Sequence, residues 1–382
     1  MNINNFSLAA TFDVSLLEMA LTAPAMRDNF DIEFDFGEDP YLADNMRQAA
    51  ANALNNPVQP LDNDTADGII RHVSAGGLVL LRNHKRVLPL SSTYIRTVAV
   101  IGPQTVCGMF HDIKKIAPEH LQLLNAAGCP PDNNFSDELL AAALSTAVRS
   151  DVVVLCLGAE DCDGTHLPPP QLALLEAVSM LGKPVIAAVF GTYPHALENI
   201  HKKVDSVILA WEYTRHIGAA LGHVLFGQVN PSGRLPITLP RTPDETGSYL
   251  FARHDPLYPF GYGLSYTHFT YSELKLSGNK ISAGQLISVE CVVENAGTLP
   301  GHEVAQLYLR QESRTAVDLP RWKLCAFQRI FLQKGESRAV RFELSALDEP
   351  SRYVVYVGGH QPDARSVWLT ETPVLSAFIE VV

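Results

Sequence analysis

The chain has 382 residues, 47% of them hydrophobic and 18% charged, with a net charge of -12. That length supports two or three packed domains. The acidic balance excludes a polyanionic partner such as nucleic acid and fits a neutral or cationic ligand, or an ordinary solvated surface.

No run of eighteen apolar residues occurs, so no membrane span is expected. The first twenty residues lack a basic start and their apolar run is broken, which makes a poor signal peptide. Cys107, Cys129, Cys156, Cys162, Cys291 and Cys325 form no CxxC pair and show no metal-ligand spacing; they read as buried free thiols.

Residues 1–62 are weakly patterned. They hold Gly37-Glu38-Asp39-Pro40-Tyr41-Leu42 and then a helix-like run over 45–54, whose acidic start favours the helix dipole. From Asp64 the pattern sharpens. Residues 66–75 read as a helix closed by Gly76-Gly77. Residues 78–83 read as a short apolar strand, followed by Val87-Leu88-Pro89-Leu90, and 97–101 as a strand closed by Gly102-Pro103. Ser136 is an expected N-cap with Asp137 and Glu138 in the first turn. Leu139, Leu140, Ala143, Leu144, Ala147 and Val148 then recur at helical spacing. Strands are expected at 152–157, 185–190 and 204–210, and helices at 171–181 and 215–225. This alternation implies crossover units and a mostly parallel sheet flanked by helices, an α/β sandwich. No glycine-rich phosphate loop follows any strand, so no nucleotide site is expected.

Two segments punctuate the chain after that domain: Gly227-Gln228-Val229-Asn230-Pro231-Ser232-Gly233-Arg234-Leu235-Pro236 and Phe260-Gly261-Tyr262-Gly263-Leu264-Ser265-Tyr266-Thr267-His268-Phe269. Glycine permits close backbone approach, proline fixes entry angles, and the aromatics suit either a sugar face or a domain seam. Residues 241–258 are a proline- and charge-containing linker. From Ile287 the period becomes two, with Ile287, Val289, Cys291 and Val293 on one face. Further strands at 304–309, 322–332, 339–344 and 353–357 predict an all-β sandwich.

These motifs, in this order, resemble glycoside hydrolase family 3, the β-glucosidase and β-xylosidase family. The segments at 227–236 and 260–269 are similar to its "NPSGRLP" and "PFGYGLSYT" signatures. Leu78-Val79-Leu80-Leu81-Arg82-Asn83 resembles the entry to its second domain, and residues 37–42 resemble a piece of its N-terminal barrel. The resemblance implies four parts: an N-terminal remnant at 1–62, the family's C-terminal α/β sandwich at 63–240, a linker with the aromatic motif at 241–280, and a fibronectin type III-like sandwich at 281–382. It implies a β-linked oligosaccharide or glycoside as ligand, retaining hydrolysis of terminal xylose or glucose, no metal or cofactor, and a family that is mostly extracellular.

Retaining hydrolysis needs two carboxylates about 5–5.5 Å apart. The family's nucleophile is an Asp on the barrel in a Ser-Asp-Trp-like motif, which does not occur here. A barrel needs roughly 200 residues or more, and only about sixty precede the second domain. The family's acid/base Glu lies on a loop of the second domain that corresponds to residues 158–168. Glu160 is the only Glu of that loop and the candidate acid/base, although the loop is several residues shorter than the family's and equally fits a solvated acidic turn. Trp211 persists where the family has a tryptophan lining its cleft, while the Pro-Gly-Gln that follows one residue later there has become Tyr213-Thr214-Arg215. Trp211 is therefore a candidate sugar-stacking residue or a core residue between helix and sheet. His166, His195, His216 and His223 read as surface or core histidines.

The expectation is a chain without the nucleophile domain, inactive by itself. The alternatives are a non-catalytic carbohydrate-binding or assembly module, or part of a longer enzyme. A protein partner is expected at the apolar face that the barrel would cover.

Overall fold

The computed structural model describes residues 8–21, 36–55, 73–90, 94–103, 105, 108–132, 134–158, 167–191, 197–211, 216–241, 250, 255–312, 321–344, 347 and 349–382. Its first helices are α1 (Val14–Ala20) and α2 (Pro40–Asn55). The α/β domain then runs β1 (Val79–Asn83), β2 (Thr97–Ile101), α3 (Met109–Ile116), β3 (Gln122–Ala126), α4 (Asp137–Val148), β4 (Val152–Leu157), α5 (Pro169–Ser179), β5 (Val185–Phe190), α6 (Leu197–Lys203), β6 (Ser206–Trp211) and α7 (Ile217–Leu225).

The six strands form one sheet in the order β1-β6-β5-β4-β2-β3. Strands β2 to β6 pair in parallel, and β1 lies antiparallel on β6. Every residue of β4, β5 and β6 is buried. Such unbroken apolar runs are what a sheet covered on both faces requires. Ser136 caps α4 by accepting a hydrogen bond from Leu139 N at 3.3 Å. Strand β3 and helix α3 are absent from the sequence reading. The edge strand β3 is only partly buried and shows no alternation, whereas α3 carries its signal in Met109, Ile113 and Ile116.

The second domain is a sandwich of two sheets. One has the order β11-β10-β13-β14-β8 and the other β12-β9-β7, from β7 (Phe269–Leu276), β8 (Lys280–Ile281), β9 (Ile287–Asn295), β10 (Gly301–Glu312), β11 (Lys323–Leu332), β12 (Ser337–Leu344), β13 (Arg352–Gly358) and β14 (Leu375–Val381). A last helix, α8 (Ala364–Thr370), joins β13 to β14. Ile287, Val289, Cys291 and Val293 are buried between the sheets, as the period of two requires. Strand β7 lies inside the stretch read as linker and pairs with β9.

The N-terminal stretch packs more closely than its weak pattern suggests. Asp39 caps α2 by accepting from Leu42 N at 2.8 Å. Leu42, Met46, Ala49, Ala50 and Ala53 bury one face of α2 in a cluster with Phe12, Phe260, Tyr308, Trp322 and Leu324. The helix thus rests on the outer face of β10 and β11.

The two motif segments join the domains. Leu235 N donates to Tyr262 O at 2.9 Å and Gly261 N to Leu235 O at 2.7 Å, so the motifs pair with each other. Leu264 N donates to Leu80 O at 2.8 Å on the α/β side. Gln306 Nε2 donates to Gly261 O at 3.0 Å on the sandwich side. A Cβ at Gly263 would stand 2.1 Å from Gly233 O, which excludes any side chain there. Arg234 and Glu303, 3% and 4% exposed, pair at 2.9 Å, and Tyr271 Oη donates to Glu303 Oε1 at 3.0 Å. Tyr258 and Tyr262 are buried and stacked, and Tyr262 Oη donates to Leu81 O at 3.0 Å. Their faces fill the seam.

Candidate functional site

Chain order fixes where the α/β sheet opens. The crossover from β2 leads outward to β3, and the next returns across β2 to β4. The strand order therefore reverses between β2 and β4, and ligands of open α/β sheets bind outside the carboxyl ends at such a point. The turn after β4 begins at Gly158, with φ +135; a Cβ there would stand 1.8 Å from Phe190 O. Gln171 from α5, fully buried, clamps the same residue. Gly158 N donates to Gln171 Oε1 at 2.8 Å, and Gln171 Nε2 donates to Gly158 O at 2.9 Å. The loop leaves the sheet from a fixed residue and returns at Leu167, buried in the main core.

Glu160 and the rest of 159–166 lie outside the described residues, as do 192–196 after β5 and 212–215 after β6. Cys162, His166 and His195 fall in these stretches, and Cys107 likewise lies outside the described residues. After β2, Thr105 is buried and its Oγ1 donates to Gly102 O at 2.8 Å.

Trp211 stands at the carboxyl end of β6 with φ +61 and 1% exposure. Its Nε1 donates to Gly77 O at 2.8 Å, and its backbone carbonyl accepts from Gly191 N. Its ring belongs to the main core cluster with Tyr258 and Tyr262. Both faces are packed in this arrangement, and the residue ties the β5 and β6 turns to the entry of β1.

Burial pushes the Cys156 thiol up to about 12 and the Cys129 and Cys291 thiols to about 11. Burial likewise brings Cys325 to about 12. Protonated thiols of this kind are poor nucleophiles and metal ligands. Among the described residues no group of His, Cys, Asp and Glu is arranged to hold a metal ion. No helix of the described residues is long and apolar enough to cross a membrane. His223 Nδ1 lies 2.6 Å from Gln228 Oε1 on the surface, and His216 precedes α7. His201, which the sequence did not single out, sits at the seam 2.6 Å from Tyr258 Oη. Burial, then the guanidiniums of Arg82, Arg365 and Arg241, hold it down to about 4. Helix α6 was not read from the sequence, so no signal drew attention to this histidine.

Comparison with known proteins agrees with this architecture. Residues 78–266 match the glycosyl hydrolase family 3 C-terminal domain, and 303–359 match a fibronectin type III-like domain. The chain carries the C-terminal domains of glycoside hydrolase family 3. A β-xylosidase of Formosa agariphila is 32% identical over 352 residues, covering 77% of this chain and 48% of that protein. Thermostable β-glucosidase B of Acetivibrio thermocellus is 31% identical, covering 74% of this chain and 43% of its own length. The solved structure of a β-glucosidase from Erythrobacter marinus superposes with a TM-score of 0.71 at 25% identity, over 88% of this chain and 52% of the other. The glucose complex of Listeria innocua β-glucosidase gives 0.71 at 25% identity, over 89% and 54%. The family 3 chain described here thus spans about half the length of these relatives.

Proposed function

We propose that residues 1–382 form the acid-loop and connector half of a retaining β-glycosidase acting on terminal β-linked xylose or glucose, and that they do not turn over substrate alone. The observation that carries this is the loop after β4, fixed at Gly158 by Gln171 at the reversal point of the sheet. Glu160 on that loop is the proposed general acid. Two carboxylates are required, and the attacking one would come from a barrel, in cis or in trans. A partner bearing it would seat against the α/β domain. Release of nitrophenol from chromogenic β-xyloside and β-glucoside by the purified chain tests this. No turnover is expected. Turnover that is lost in Glu160→Gln would overturn the claim of inactivity while supporting the acid.

A second reading, a non-catalytic carbohydrate-binding module, is favoured by one observation: Trp368 is 67% exposed on α8. Calorimetric titration with xylo- and gluco-oligosaccharides tests it, and absence of heat with all of them would remove it.

A further inference from the structure

We infer that the outer seam between the domains binds a carboxylate-bearing β-linked saccharide, with Trp368 under the sugar ring and Arg82 and Arg365 on the carboxylate. The inference rests on the carbohydrate-binding reading and adds a place and a charge to it.

The chain has three tryptophans. Trp211 and Trp322 are 1% and 8% exposed, so Trp368 alone offers a face to solvent. That face is pre-set. The Arg365 guanidinium carbon lies 4.7 Å from the Trp368 ring centroid. Arg365 is itself anchored by two hydrogen bonds to Leu257 O, at 3.0 Å from Nη2 and 3.3 Å from Nε. Helix α8 is held at its start by Asp363, which accepts from Ser366 N at 2.7 Å and from Ser366 Oγ at 2.6 Å. A cation on one face and a rigid helix beneath leave the other face free for the C–H groups of a pyranose.

Charge is the second, independent observation. In a protein of net charge -12, Arg82, Arg365 and Arg241 cluster around His201 and Tyr258, close enough that each holds the His201 proton affinity down. Neither Arg82 nor Arg365 pairs with a carboxylate among the described residues. Arg82 donates to Val204 O at 3.1 Å and lies 3.1 Å from His201 Nε2. Arg241 Nε donates to Asp255 O at 3.1 Å, and the exposed Asp255 side chain is the carboxylate that acts on Arg365.

The Arg82 contact also sets the tautomer of the histidine beside it. A guanidinium can only donate, so Arg82 makes Nε2 of His201 the acceptor. His201 Nδ1–H then donates to Tyr258 Oη at 2.6 Å. Two guanidiniums without an ion-paired carboxylate, beside an exposed indole face, match a sugar carboxylate that takes a bidentate Arg.

The test uses the full chain with ¹⁵N-labelled tryptophan and two probes of equal length: neutral xylotriose and xylotriose bearing one glucuronic acid. The acidic probe is expected to shift the Trp368 indole signal alone and to bind about tenfold more tightly than the neutral one. That advantage should shrink at high salt. Arg82→Gln, at a partly exposed position, should remove the preference and keep neutral binding; Trp368→Ala should abolish both, with thermal unfolding unchanged in this exposed variant. Equal affinity for the two probes overturns the inference, as does equal affinity for inorganic phosphate. Binding that leaves Trp368 unmoved overturns this site and leaves the carbohydrate-binding reading standing. No binding of either probe removes both.

Discussion

At the scale of single residues, Gln171 shows how much one side chain can position. Its amide satisfies both the N–H and the C=O of Gly158, at 2.8 and 2.9 Å, where neither group reaches water. Gln171→Leu strands two buried backbone groups, each costing about 1–3 kcal/mol. The expected loss is about 3 kcal/mol in urea unfolding. A loss below about 1 kcal/mol would show that the loop does not need the clamp. In the sequence, Gln171 is only a helix residue. Nothing in the local pattern links it to position 158, because the bond spans thirteen residues and a turn.

At the scale of elements, the joint between the connector and β10 contains a buried ion pair beside the Gln306–Gly261 bond. Arg234 and Glu303 are both nearly inaccessible, and Glu303 also accepts from Tyr271. Desolvating such a pair costs about what it returns, but deleting one partner leaves a buried charge and costs roughly 3–5 kcal/mol. Glu303→Gln is therefore expected to lower stability by several kcal/mol. The double replacement Arg234→Met with Glu303→Leu should recover most of that loss. A double-mutant cycle with no coupling would refute this account of the joint. The motif carrying Arg234 was legible; its partner was not, since Glu303 begins a strand whose alternation gives no hint of a charge facing inward.

At the scale of the whole molecule, stability should depend on pH through His201 and His360. Burial, chiefly, holds both below the ordinary histidine value, His201 at about 4. The unfolded chain then binds more protons than the folded one between about pH 6.5 and 4. Stability therefore rises with pH across that window, and the contribution present above pH 6.5 is lost as pH falls through it. For His201, partly exposed, the effect is roughly 1–2 kcal/mol after screening. Urea midpoints measured at pH 7 and pH 4.5 should fall less in His201→Gln than in the parent chain; an equal fall would mean that the histidine is not desolvated as described.

Sequence alone determined the layers. Short continuous apolar runs at β4, β5 and β6, rich in β-branched residues, read as strands buried on both faces, and the period of two from Ile287 reads as a half-buried sheet. The Gly-, Pro- and aromatic-rich motifs also carry the family resemblance in the sequence itself. Tertiary structure decided the rest. It laid β1 antiparallel on β6, took β7 out of the linker into the sandwich, buried Trp211 on both faces, and gathered Arg82, His201, Tyr258, Arg365 and Trp368 at one seam. Periodicity reports only which side of an element meets water. Which distant elements meet, and what charge they bring, depends on contacts between residues far apart in the chain.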